Sequence, residues 1–101
     1  AGKLASVTLV GPDDVSTEHA AEGAFVFIGL DPNSAWLDGL VDLDRSGFIT
    51  TNRMLETSVE GIFAAGDVRE GSTKQLASAV GEGAAVALQI RHHLDAHENG
   101  A

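Results

Sequence analysis

Cysteine is absent from the 101-residue sequence, which excludes a disulfide scaffold, a thiolate metal site and a redox-active cysteine pair within the chain. Basic residues are scarce, 6 Lys and Arg against 15 Asp and Glu, and the net charge is −9. The positive field that attracts nucleic acid or anionic lipid is therefore missing, and nucleic acid is not an expected partner. No apolar run reaches the ~18 residues of a membrane span. Residues 1–10 also lack the basic start, apolar core and cleavage site of a secretory leader, so a cytoplasmic location is expected, with no membrane partner. The first residue, Ala1, fits either removal of an initiator Met or a cut inside a longer protein. G-x-G-x-x-G and P-loop motifs are missing as well, as is any Ser/His/Asp or Cys/His set for nucleophilic catalysis. Taken alone, the residues do not make this chain an enzyme.

What is present suits one globular domain: 44% hydrophobic residues, a mean hydropathy of +0.07 and 12 glycines. Residues 4–10 partly alternate apolar and small polar side chains and read as a strand. The cluster Gly11, Pro12, Asp13, Asp14 reads as a turn, with residues 15–19 as the hairpin mate. Residues 24–29 (AFVFIG) form an unbroken apolar run, expected to be a strand buried on both faces. Asp31, Pro32, Asn33 and Ser34 break the chain, and residues 35–37 suit a single helical turn. Residues 42–50 have the form of a small hairpin turning at Arg45, Ser46 and Gly47. Residues 61–65 read as a third apolar strand. From Thr73 onward, Leu76, Val80, Gly83, Ala87, Ile90 and Leu94 recur at helical spacing and predict one long amphipathic helix ending within residues 95–100.

Chemistry concentrates between residues 60 and 76. A strand ending on Gly66 and Asp67 puts a carboxylate where burial is costly unless hydrogen bonds reach it, and sugar or ribityl hydroxyls are natural donors. An ordinary turn with Asp67 bonded to a nearby N–H is the competing reading. Ser72 and Thr73 precede Lys74 and Gln75 at the helix start, where free N–H groups and the positive dipole end suit a carbonyl or phosphate oxygen. A plain Ser/Thr cap explains the same residues. Gly81 and Gly83 inside the helix suggest close approach by a backbone or a cofactor, though tight helix packing leaves the same composition. His92 and His93 are adjacent and so face different ways, His97 lies at the helix end and His19 is remote. No zinc geometry follows, and the four read as solvent-facing. Asp42 and Asp44 resemble the start of a calcium loop, but the closing Glu and the central Gly are misplaced. Trp36 and Phe48 read as core or interface aromatics.

Residues 25–33 (FVFIGLDPN), 47–49 (GFI) and 54–68 (MLETSVEGIFAAGDV), followed by Lys74 and Gln75, closely resemble the C-terminal third of bacterial thioredoxin reductases. The resemblance runs over nearly the whole chain. It implies an α/β fold: part of a Rossmann-like, three-layer FAD-binding domain, with short strands and hairpins followed by one long C-terminal helix. Residues 1–22 would be the tail of an inserted NADPH-binding domain, and residues 23–101 the C-terminal part of the FAD-binding domain. The resemblance also implies FAD and NADPH as cofactors, with Gly66 and Asp67 at the ribityl chain of FAD. Lys74, Gln75 and Leu76 would lie near the flavin ring, a backbone N–H directed at its pyrimidine-side carbonyl. Hydride would pass from NADPH to FAD and on to a disulfide, in a thioredoxin-like protein or a small molecule, within a homodimer. No catalytic residue falls in this chain, because the family's Gly motifs and Cys-x-x-Cys lie upstream of the matched region. Lys74 stands where the family usually has Arg and loses the planar fork, which leaves the electron acceptor open. Two alternatives stand beside this reading. One is a segment of a ferredoxin- or flavodoxin-NADP reductase-like flavoprotein; the other is a non-catalytic fragment that self-associates through an exposed apolar sheet edge and helix face.

Overall fold

The computed structural model describes residues 2–100. The elements in order are strands β1 (Ser6–Val10) and β2 (Ser16–Ala20), a 3-10 turn (Ala35–Leu37) and a helix, α1 (Leu76–Gly100). The expected hairpin is present: β1 and β2 pair antiparallel, with Ser6 opposite Ala20 and Val10 opposite Ser16. Its turn closes through Gly11 N–H to the Val15 carbonyl at 3.0 Å, and Asp14 takes a left-handed φ of 59°. Asp tolerates that conformation better than most side chains. Neither strand contacts the 3-10 turn or α1.

Residues 24–29 depart from expectation. They form no strand and bend at Ile28, and Phe25, Val26, Phe27 and Ile28 are 85%, 82%, 91% and 94% exposed. Phe25 and Phe27 stack on each other with ring centroids 6.2 Å apart. The composition demands burial on both faces, and no described residue supplies a neighbouring strand to either edge.

Residues 31–71 hold the core, in which Leu37, Val41, Ile49 and Ala64 are buried and Leu43, Val59, Ile62 and Val68 pack around them. The expected turn is found at residues 44–47. Asp44 Oδ1 accepts the N–H groups of Ser46 and Phe48 at 2.8 and 2.9 Å, and Gly47 adopts φ 87°. The flanking residues Leu43 and Ile49 form an antiparallel bridge, and Ile49 also pairs in parallel with Arg69. Buried Ser34 donates its hydroxyl to the Gly47 carbonyl, fastening the chain break to this turn. The third strand expected at residues 61–65 is reduced to a single Glu56–Phe63 bridge. Gly61 and Gly66, at φ 80° and 84°, bend the backbone out of the ladder at both ends. Phe48 is half-buried, whereas Trp36 is 77% exposed, its indole N–H held by the Asn33 carbonyl.

The expected helix starts at Leu76 rather than Thr73, because Lys74 adopts φ 55° and interrupts the helical path. Gln75 occupies the cap position expected of Ser72 and Thr73: its carbonyl accepts the Ala79 N–H at 3.0 Å, while the Ser78 hydroxyl meets the Gln75 N–H at 3.3 Å. That contact is the returning half of a capping box. The stripe turned toward the rest of the chain is Ser78, Ala79, Glu82, Val86, Gln89 and His93, all half-buried. The apolar stripe expected to face inward is left outside, with Leu76 84%, Val80 66% and Leu94 52% exposed.

The dimensions agree. The radius of gyration is 20.6 Å, against roughly 13 Å for a compact 100-residue domain. The accessible surface is 7918 Å², about 2,500 Å² more than a folded monomer of this mass exposes. Residues 24–29, the hairpin and the outer stripe of α1 all carry exposed large apolar side chains, so the fold is an α/β segment, incomplete as a domain.

Candidate functional site

The sharp bend at Gly66 organises the site. Its φ of 84° is open to glycine without strain, and a hydrogen bond from Arg69 N–H to the Gly66 carbonyl at 3.0 Å closes a four-residue turn that presents Asp67. Glu82, on the inner face of α1, holds this turn. Its Oε2 accepts the Gly66 N–H at 2.7 Å and Arg69 Nε at 2.9 Å, and its Oε1 accepts Arg69 Nη2 at 2.7 Å. Arg69 and Glu82 thus form a two-pronged ion pair, with side chains 20% and 17% exposed. Hydrogen bonding from Arg69, assisted by the Gly66 N–H, lowers the Glu82 carboxyl from 4.5 to about 2 against the opposing effect of burial. The same pairing raises Arg69. Glu82 is a carboxylate throughout the physiological range, and it clamps the loop to the first turns of the helix.

Asp67 itself is exposed. Among the described residues no N–H or hydroxyl donates to its carboxylate, so the intraloop bond of an ordinary turn is not formed. It lines a cleft of ≈ 270 Å³ together with Leu30, Asp31, Pro32, Asn33, Phe48 and Val68. Two of the sequence motifs, residues 30–33 and 67–68, meet there. A larger cleft of ≈ 840 Å³ lies along residues 31–50. Asp31, Asp38, Asp42 and Asp44 on its walls make it hostile to a phosphate-bearing ligand.

The remaining expected site residues divide. Lys74 is half-buried and places its ammonium 3.9 Å from the Phe48 ring centre, so its charge is engaged by an aromatic face. Gln75 and Leu76 are exposed at the helix start. The amides of Leu76, Ala77 and Ser78 precede the first i to i−4 bond, from Ala79 to Gln75, and point out of the helix's positive end. The close approach suggested at Gly81 and Gly83 is not made among the described residues, since outside the helix's own backbone a Cβ at either position would have no atom within 4 Å. The histidine reading also changes. His93 and His97, one helical turn apart, lie together with ring centres 4.1 Å apart, and Glu60 reaches His97 Nε2 at 3.2 Å. Comparing His92 with His93 obscured the i, i+4 relation. Arg69 and Glu82 went unremarked in sequence although Glu82 sits between the two helix glycines; a lone charge flanked by Gly81 and Gly83 was the available signal.

Residues 3–83 match the family model for pyridine nucleotide-disulphide oxidoreductases. A thioredoxin reductase of Bacillus subtilis is 41% identical over 97 residues, covering 93% of this chain and 30% of the relative. A component of the alkyl hydroperoxide reductase of Pseudomonas aeruginosa is 52% identical over 73 residues, covering 72% of the chain and 14% of the relative. Among solved structures, the thioredoxin reductase of Streptococcus pyogenes superposes with a TM-score of 0.76 at 34% identity, covering 93% of the chain and 31% of that structure. That of T. acidophilum gives 0.69 at 36% identity, over 84% of the chain and 28% of that structure. The chain spans about a third or less of each of these proteins, and the resemblance seen in its motifs is borne out. With a family model matched over residues 3–83 and relatives of this similarity, the chain belongs to the pyridine nucleotide-disulphide oxidoreductase family.

Proposed function

We propose that the chain is the C-terminal, FAD-holding segment of a thioredoxin-reductase-like, NADPH-dependent flavoprotein. The observation that carries the reading is Asp67: an unpartnered carboxylate at the tip of a turn that Glu82 fastens to the start of α1. Ribityl hydroxyls are donors that suit such an acceptor, and the outward amides of Leu76, Ala77 and Ser78 suit a flavin carbonyl oxygen. Bound there, FAD supplies the hydride chemistry that no side chain of this sequence provides. The chain's own residues have the positioning work: Asp67 fixes the ribityl chain, and Gly66 keeps its carboxylate in place. Gln75, as the cap, sets the helix start so that the Leu76 amide comes to the ring edge, and Lys74 steadies the approach through Phe48.

The cleft at Asp67 is small for a dinucleotide, which fits a site with one wall here and the other contributed from outside residues 1–101. Residues 1–22, whose hairpin stands clear of the helix, suit the tail of an NADPH-binding domain. Residues 23–101 are assigned to the FAD-binding domain. A Cys pair outside this sequence would pass electrons to a thioredoxin-like protein or a small disulfide, in a cytoplasmic homodimer. The likeness to both thioredoxin reductases and an alkyl hydroperoxide reductase supports this reading over a ferredoxin- or flavodoxin-NADP reductase. The test is flavin occupancy of the protein at its native length. Asp67→Ala is expected to lower FAD retention at least tenfold with the fold intact by circular dichroism. Full occupancy in that variant removes Asp67 from the site.

A second reading rests on the exposure of Phe25, Val26, Phe27 and Ile28. By itself the 101-residue chain would be colourless and self-associate through this segment. A monodisperse monomer in light scattering rules that out.

A further inference from the structure

The most unusual grouping outside the flavin site is Glu60, His93 and His97, whose ligand atoms all lie within 4.8 Å of one another. The two histidines are one turn apart on α1, and Glu60 comes from the loop leading into residues 61–67. His97 Nδ1 lies 2.9 Å from the His93 carbonyl oxygen. A carbonyl can only accept, so Nδ1 carries the hydrogen and the lone pair of the neutral ring sits on Nε2. That nitrogen faces Glu60 Oε1 at 3.2 Å. Two acceptors at this distance need a cation between them, whether a proton or a metal. A carbonyl holding the far ring nitrogen is also the outer hydrogen bond that orients metal-binding imidazoles.

The dimensions favour a metal. Ligand atoms around a tetrahedral zinc ion with bonds of about 2.0–2.1 Å lie roughly 3.3 Å apart, and one edge is already 3.2 Å. Closing the third corner takes only side-chain rotation, since Glu60 and His97 are 80% and 58% exposed. His93 is better fixed, half-buried and edge-on to Phe63 with ring centres 5.8 Å apart. Two imidazoles and one carboxylate suit Zn²⁺ and its borderline neighbours, not Mg²⁺ or Ca²⁺, which favour all-oxygen shells.

We propose that Glu60, His93 and His97 form a three-ligand site for Zn²⁺, with water in the fourth position. The ion would staple the C-terminal part of α1 to the loop that leads into Gly66 and Asp67, independently of any flavin.

The experiment uses the protein at its native length, stripped with chelator and with any cysteines held oxidised, in equilibrium dialysis against Zn²⁺. Wild type is expected to bind one equivalent that His93→Gln, His97→Gln and Glu60→Gln each weaken at least tenfold. His92→Gln, one residue off the cluster, serves as the control and keeps wild-type affinity. Glu60 is so exposed that its substitution leaves folding intact. Hydrogen exchange of residues 91–100 supplies a second readout: Zn²⁺ slows it in wild type and leaves Glu60→Gln unchanged. Equal zinc binding by wild type and His97→Gln overturns the proposal. So does exchange that differs between wild type and Glu60→Gln identically with and without zinc, which is the signature of a Glu60–His97 ion pair alone.

Discussion

Replacing Glu82 with Gln keeps the shape of the clamp and removes its charge. The depression of the Glu82 carboxyl from 4.5 to about 2 corresponds at face value to about 3.4 kcal/mol of favourable interaction. Solvent reaches a side chain that is 17% exposed, which brings the working value to about 2 kcal/mol, the range of a hydrogen bond to a charged group. Glutamine can still accept the Gly66 N–H, but as a neutral and weaker acceptor, and it cannot meet both prongs of Arg69. Hydrogen exchange at the Gly66 amide reads this directly, because that N–H is the one Glu82 holds. In the protein at its native length, exchange of a peptide covering residues 61–70 is expected to accelerate ~30-fold in Glu82→Gln. The dependence on pH follows from the direction of the shift. A carboxyl lowered on folding contributes above its unfolded value near 4.5 and loses that contribution as the pH falls toward about 2. Protection in wild type should therefore be level above pH 5, once the intrinsic rate is corrected, and fall below 4.5. An acceleration under threefold would place Arg69 and Glu82 among surface ion pairs of little consequence and refute the clamp.

At Gly66 the cause is backbone alone, since an added Cβ would meet Ala79 at 3.8 Å, an ordinary contact. Gly66→Ala should cost about 1–2 kcal/mol in denaturant unfolding, and Gly66→Asn less; equal losses would point to packing instead. Phe27→Asp removes about 2–3 kcal/mol of apolar burial and adds a desolvated carboxylate if residues 24–29 are enclosed in the native-length protein. Its soluble yield is then expected to fall severalfold, and an unchanged yield would mean that the segment stays open to water. Lys74→Met should keep the stacking over Phe48 while deleting the charge, lowering flavin affinity less than Asp67→Ala does; the reverse order would make Lys74 the principal ligand.

Elements built from local contacts were legible in the residues. The hairpin of β1 and β2 follows from alternation around Gly11, Pro12, Asp13 and Asp14, and the turn at Gly47 from the Asp44 side chain that caps it. The long helix was legible too, but its start and inward face were not. The start depends on the left-handed Lys74, and the face on contacts distant in sequence, Glu82 with Arg69 and His93 with Phe63, while Leu76, Val80 and Leu94 stay exposed. The buried strand expected at residues 24–29 is not formed: the segment lies open, because burial needs neighbours that local sequence cannot supply. The Asp67 carboxylate was marked by its place after an apolar run. Glu82, which sets that carboxylate's position from 15 residues away, is a long-range partner of a backbone N–H, and such a partner leaves little trace in spacing.

Residues 24–29 also have a meaning for the cell. AFVFIG has no proline and no charge, the composition of a segment that stacks into cross-β fibrils. The structure displays four large apolar side chains there in a row, Phe25 to Ile28. Chaperones and proteases that survey exposed apolar chain would meet their target at this one stretch.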